Sequence, residues 1–291
     1  WFGLMYGIDP GDDWADPAIW AKVNPMHGIS VFEDAIAQRV EEAKAKPALL
    51  NEVLCKTFNV WVSANSAWVD RRHWDNPDTF ITEPTPEPEA TFYGVDLAFT
   101  RDLNAVCQLD RYPDGSYEAR FQCFMPEESL DLVPTHYKPI YLLAIDSGTL
   151  KLTRGNVMDG DEIADYIIAD AQRSGAIEIG YDAYNAATVV SRLSEHGLPV
   201  KKVGQGMAAL NNPSKEVEKM IMSGKIRHVN DPFIAWCLGN CEVYTDVNGN
   251  IKVRKNEADY AAKIDPIVAM IIAMHCSLDN PQANYDYLRI I

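Results

Sequence analysis

No apolar run in this 291-residue chain approaches the ~20 residues of a membrane span; the longest, Ile267 to Met274, stops at eight. No positively charged segment with a cleavage site opens the chain, and a soluble protein is expected. The six cysteines (55, 107, 123, 237, 241 and 276) contain no C-x-x-C pair. Without a secretory signal they read as reduced thiols of a cytosolic compartment. Cys237 and Cys241, four apart and near His228, could be drawn as a zinc site, but small buried cysteine is the commoner use. A phosphate-binding loop is missing too: Gly224-Lys225 is followed by Ile226 and lacks the first glycine of G-x-x-x-x-G-K-[ST].

Positive charge is scarce. Twenty-six Lys and Arg against 42 Asp and Glu give −16, which argues against coating nucleic acid through bulk electrostatics. The imbalance reverses locally, since residues 201–263 carry ten basic and seven acidic side chains, a weak pointer to a phosphate-facing side. With 47% apolar and 23% charged residues the composition is that of a globular protein with one large or two ordinary domains.

Six of the seven Trp lie in the first 74 residues, a part that reads as helical or irregular. There Ser30 with Glu33 three residues on predicts a helix running to about Lys46. The alternation Glu-Pro-Thr-Pro-Glu-Pro-Glu within 82–90 suits neither a helix nor a central strand, so a linker is expected there between parts 1–81 and 91–291. Strands are then predicted over 91–100, 105–111 and 117–124, the last two joined by Pro113-Asp-Gly115. Next come a helix over 161–173, a strand ending at Asp182, a helix over 186–195, a strand over 200–204 and a helix over 214–222. Asn248-Gly249 marks a hairpin between 241–246 and 251–255, and a last helix opens at Asp265-Pro266. Three antiparallel strands followed by helix-separated strands form the layout of a ribonuclease H-like α/β domain, a mixed central sheet flanked by helices, here behind the Trp-rich segment.

Asp96 stands out within Thr91–Thr100. Strand interiors are depleted in Asp, and an ionised carboxylate among apolar groups needs a cation or donors to compensate it. Gly180-x-Asp182 repeats the spacing of Gly94-x-Asp96, so each Asp has a side-chain-free neighbour on its own face. Paired, the two strands are expected to form a shallow pocket with little steric cover, able to hold divalent metal against a phosphodiester. Asp265 would join them if the last helix returns to this edge. A plain helix cap would also explain Asp265, and simple exposure would explain Asp182.

The stretches Gly94–Val106, Thr149–Asn156, Gly180–Ala186, Gly204–Gly206 with Pro213–Glu218, Gly224–His228 and Lys263–Met270 together resemble the nuclease domain of the large terminase subunit of tailed double-stranded DNA bacteriophages. Asp12–Pro25 and Phe58–Trp61 resemble the segment linking that family's ATPase motor to its nuclease. The resemblance implies an endonuclease that cuts concatemeric viral DNA during genome packaging in the host cytoplasm. With no phosphate loop and a start at Trp1, the chain is expected to be a monomeric fragment lacking ATPase activity. The resemblance further implies Asp96, Asp182 and Asp265 as metal ligands for two Mg2+ or Mn2+ ions ~3.5–4 Å apart. Asp102 and Lys263 follow as supporting residues, the first ordering a loop and the second neutralising a phosphate. Lys252, Arg254 and Lys255 of the hairpin are expected along the duplex, touching phosphates without reading sequence. The implied partners are double-stranded DNA and, for the whole protein, portal and small terminase subunit.

Two other classes fit less well. Gly94–Thr100 is somewhat like the first phosphate loop of actin-like and sugar-kinase phosphotransferases, but Leu97, Ala98 and Phe99 stand where glycine and a hydroxyl are needed. A non-catalytic assembly module of the virus particle would make the three Asp incidental.

Overall fold

The computed structural model describes residues 4, 6–9, 12–45, 50–60, 68–83, 85–98, 101–183, 186–255, 259 and 261–281. The chain divides into two compact units, 1–67 and 68–291.

In the first unit, α1 (Pro17–Val23), α2 (Glu33–Ala45) and α3 (Leu50–Phe58) enclose a small core of Trp20, Val23, Ile36, Val40, Val53 and Phe58. Asp16 caps α1 by accepting from Ala18 N at 2.9 Å, with Pro17 at the first helical position. Ser30 does not cap α2. A bridge between His27 and Val31 holds Ser30 in a tight turn, and the Phe32 carbonyl accepts the first helical bonds from Ala35 and Ile36 instead. Lys46 lies outside the described residues.

The second unit begins at Trp68, ahead of the expected linker. Its short α4 (Arg71–Trp74) packs inward because Trp74 stacks on His228 at 3.7 Å, while Phe80 meets the same ring edge-on at 5.5 Å. The His228 nitrogens lie 3.0 Å from the Trp74 and Val229 carbonyls, and Cys241 Sγ faces the Cys237 carbonyl. These groups are engaged with backbone, which removes the zinc reading.

The sheet is built on β1 (Ala90–Asp96), β2 (Asn104–Arg111) and β3 (Tyr117–Pro126), an antiparallel run in order. Phe99 and Thr100, at the expected end of the first strand, lie outside the described residues. After α5 (Lys138–Asp146), β4 (Leu150–Thr153) adds parallel to the far end of β3. The chain crosses through α6 (Gly160–Ser174) to β5 (Glu178–Asp182), which pairs parallel with β1, then through α7 (Ala187–Glu195) to β6 (Val200–Val203) beside β5. Next come α8 (Met207–Met222), β7 (Ile226–His228) on the near end of β3, and α9 (Pro232–Gly239). A separate two-stranded sheet of β8 (Cys241–Thr245) and β9 (Ile251–Lys255) precedes α10 (Asp265–Asp279).

The order β4-β3-β2-β1-β5-β6, with β1 to β3 antiparallel in the middle and β4, β5 and β6 joined by parallel pairing on either side, is a ribonuclease H-like arrangement. Both faces of β1 are buried: Tyr93 and Val95 face α6 and α7, while Phe92 lies in the core that includes α10. No helix among the described residues is long and apolar enough to cross a membrane.

Candidate active site at the carboxyl end of the sheet

Gly94 and Gly180 are register partners on β1 and β5, followed by Val95 and Tyr181. One residue further, Asp96 and Asp182 end the two strands side by side, on the glycines' face by the period of two. That face is not open, contrary to the sequence expectation. A Cβ at Gly94 would fall 1.9 Å from the Ala269 carbonyl oxygen, and one at Gly180 would fall 2.6 Å from Cys276 Sγ and 2.7 Å from Ile272 Cγ2. The glycines admit α10 onto the sheet rather than clearing room for substrate.

This close approach also places the third carboxylate. Residues 265, 269, 272, 273 and 276 share one stripe of a helix with 3.6 residues per turn. With 269–276 seated over Gly94 and Gly180, the start of that stripe, Asp265, projects toward the end of β1. Asp265 is not the cap. It is the first helical residue of α10, behind Ile264, which makes no side-chain cap. The capping explanation therefore does not apply.

The carboxylates feel one another. Asp96 is pushed well above the usual carboxylate range, first by burial and then by the charges of Asp265, Asp182 and Asp102. Asp265 is pushed up to about 6 by burial and by Asp102, with Lys263 and the backbone amides of 264 and 265 acting in the other direction. Carboxylates held together against their own ionisation are a donor set suited to a hard dication. Among the described residues no three His, Cys, Asp or Glu side chains form a ready-made metal grouping, so the carboxylates would have to turn toward one another to share an ion.

Asp102 and Lys263, placed separately by sequence, meet as an ion pair joining the β1–β2 loop to the start of α10. Lys263 is thus engaged with a carboxylate rather than extended toward solvent. Asn104, which sequence reasoning missed, is almost fully buried beneath the same loop. Its Oδ1 accepts from Ala98 N at 2.9 Å and its Nδ2 donates to Asp102 O at 3.1 Å. The Ala98 amide, which a phosphate loop would aim at a ligand, is therefore occupied, and the phosphotransferase reading loses its loop. A polar residue opening the apolar run 105–107 of this strand was the available signal.

The basic hairpin lies on its own two-stranded sheet. Ile251 and Val253 are buried, so Lys252 and Arg254 share the outer face, opposite Tyr244 and Glu242. Arg254 lies 4.0 Å from Glu242 and stands over the Tyr244 ring. Lys255 is exposed but belongs to the other face by alternation, so the structure brings together two of the three expected residues. The turn is sharp: Asp246 Oδ1 accepts from Asn248 N and Asn250 N, and Gly249 takes φ +77°.

A family profile described as "Terminase large subunit, endonuclease domain" matches residues 1–280. The chain is 29% identical over 283 residues to protein YmfN of Escherichia coli strain K12, across 94% of this chain and 62% of that protein. It is 24% identical over 261 residues to the terminase large subunit of Enterobacteria phage HK97, across 88% of this chain and 50% of that one. The crystal structure of the HK97 bacteriophage large terminase matches with a TM-score of 0.64 at 22% identity, covering 93% of this chain and 56% of that one. The chain thus spans about half to three-fifths of the length of these curated relatives.

Proposed function

Because this chain belongs to the terminase large subunit endonuclease-domain family, we propose that it is a metal-dependent endonuclease cutting concatemeric double-stranded viral DNA during genome packaging. What supports this reading is that Asp96 and Asp182 end adjacent parallel strands and that Asp96 is pushed up by burial first and then by the charges of Asp265, Asp182 and Asp102. Asp96 and Asp182, on rigid adjacent strands, and Asp265, on a helix pressed against them, would hold two Mg2+ or Mn2+ ions. When bound, such ions activate water for in-line attack on phosphorus and stabilise the departing 3′ oxygen. Lys263, held by Asp102, keeps one positive charge at the rim where a phosphate would approach. Lys252 and Arg254, on the outer face of the hairpin, would touch backbone phosphates and so add affinity without sequence preference.

The remaining roles follow from the family. Residues 1–67 would connect an ATPase motor to the nuclease unit that begins at Trp68, and the whole protein would work with portal and small terminase subunit in the host cytoplasm. Incubating residues 1–291 with supercoiled plasmid tests the activity. Nicked and linear products are expected with Mn2+ or Mg2+ and none in excess chelator; equal cutting in chelator overturns the metal-dependent reading.

A further inference from the structure

Asp265 has to stay over Asp96, yet the turn that delivers it has no side-chain cap: Ile264 precedes α10 with φ −134° and contributes none. Something else holds this turn. Two amide side chains grip the backbone at the two ends of the Asp102–Lys263 ion pair. On one side, Asn104 ties Ala98 N and Asp102 O together under the β1–β2 loop. On the other, Asn240, the residue that ends α9, donates from Nδ2 to Lys263 O at 3.2 Å.

We propose that Asn104 and Asn240 are positioning residues of the nuclease site: through the Asp102–Lys263 pair they lock the loop after Asp96 to the turn before Asp265, and so fix the spacing of the carboxylates. This rests on the metal-dependent reading above. Asn104 is 1% exposed and uses both ends of its amide on backbone within this one loop, one of them on Asp102 of the ion pair. Neither amide touches the carboxylates. Each acts through the backbone of a residue in the ion pair, the kind of support whose loss typically weakens metal affinity by about 10–100-fold.

The test is Mn2+ affinity by calorimetry on wild type, Asn104→Ala, Asn240→Ala and the double variant, below their melting temperatures, with Asp96→Asn as reference. Each single variant is expected to bind Mn2+ at least about tenfold more weakly. Because both hold one link, the double variant should lose less than the product of the two singles. In cleavage assays kcat should fall at subsaturating Mn2+ with KM for DNA unchanged and recover at saturating Mn2+, a rescue that mere loss of folded protein would not show. If Asp96→Asn binds Mn2+ like wild type, the metal reading itself fails. If Asp96→Asn loses binding while both Asn variants keep wild-type affinity and kcat, the positioning proposal fails and the nuclease reading stands. Asn240 is only part-buried at a helix end, so Asn240→Ala decides the matter alone should Asn104→Ala not fold.

Discussion

Gly94 and Gly180 stand opposite each other on adjacent parallel strands, and α10 lies across both at a distance that leaves no room for a methyl group on either. The carboxylate cluster depends on this contact, because Asp265 rides on the helix that the glycines admit.

Gly94→Ala should therefore damage fold and site together. Its Cβ would meet backbone atoms, Ala269 O at 1.9 Å and Ala273 N at 2.5 Å, so the helix itself must move. A loss of about 1–3 kcal/mol or more is expected, as for overpacked cores. Gly180→Ala should cost less, since its nearest neighbours are the side-chain atoms Cys276 Sγ and Ile272 Cγ2. Urea midpoints of the two variants check this ranking; equal midpoints would mean that α10 is not seated as described.

The raised carboxylates fix the direction of a pH effect. Asp265 in the folded protein titrates at about 6 against an ordinary 3.8, and Asp96 lies well above 3.8 too. Without metal the folded state holds more protons than the unfolded one, so these groups favour folding below about pH 4 and that advantage is lost as pH rises through about 6. Melting in chelator at pH 4.5 and pH 7 should show the fall, and Asp265→Asn should reduce it. An unchanged pH profile in Asp265→Asn would refute the assignment.

Much of this was legible in the residues. Asp96 in a buried strand, the Gly-x-Asp repeat and the Asn-Gly hairpin pointed to β1, β5 and the β8–β9 ribbon. The short edge strands β4 and β7 were not, because three or four residues carry no usable periodicity. Helix α9, Pro-Phe-Ile-Ala-Trp-Cys-Leu-Gly, is apolar nearly all round, so it shows no amphipathic stripe. Helix α8 began earlier than expected, at Met207, because Pro213 sits inside it rather than before it. The Gly-x-Asp repeat marks the two glycines as a pair, but nothing in the strand says what covers its face, so their use in seating α10 is not legible there. The Asp102–Lys263 contact joins positions 161 apart in sequence, beyond the reach of any local pattern.

Replacing Lys252 and Arg254 by Ala should weaken duplex binding similarly across sequences and flatten its salt dependence. Each lost phosphate contact reduces the log-log slope by roughly 0.9. Adding Lys255→Ala should change little more, because that side chain belongs to the other face of the ribbon. Fluorescence anisotropy over a salt series checks both points; wild-type slopes in the double variant would place the duplex on another surface, such as that near Arg101.

Residues 1–291 should not turn over ATP, since the sequence carries no G-x-x-x-x-G-K-[ST] loop to hold its phosphates. Phosphate release clearly above a buffer blank from pure protein would revive a phosphotransferase role.

The central claim is that Asp96 is a metal ligand held under repulsion rather than a framework residue. Melting and plasmid cleavage of Asp96→Asn beside wild type, each in chelator and in Mn2+, test it most directly. The account predicts that the variant melts higher than wild type in chelator, by roughly 2–4 °C for each kcal/mol of relieved repulsion, gains little from Mn2+, and cuts no DNA. A variant that melts many degrees lower in chelator and still cuts near the wild-type rate would contradict it.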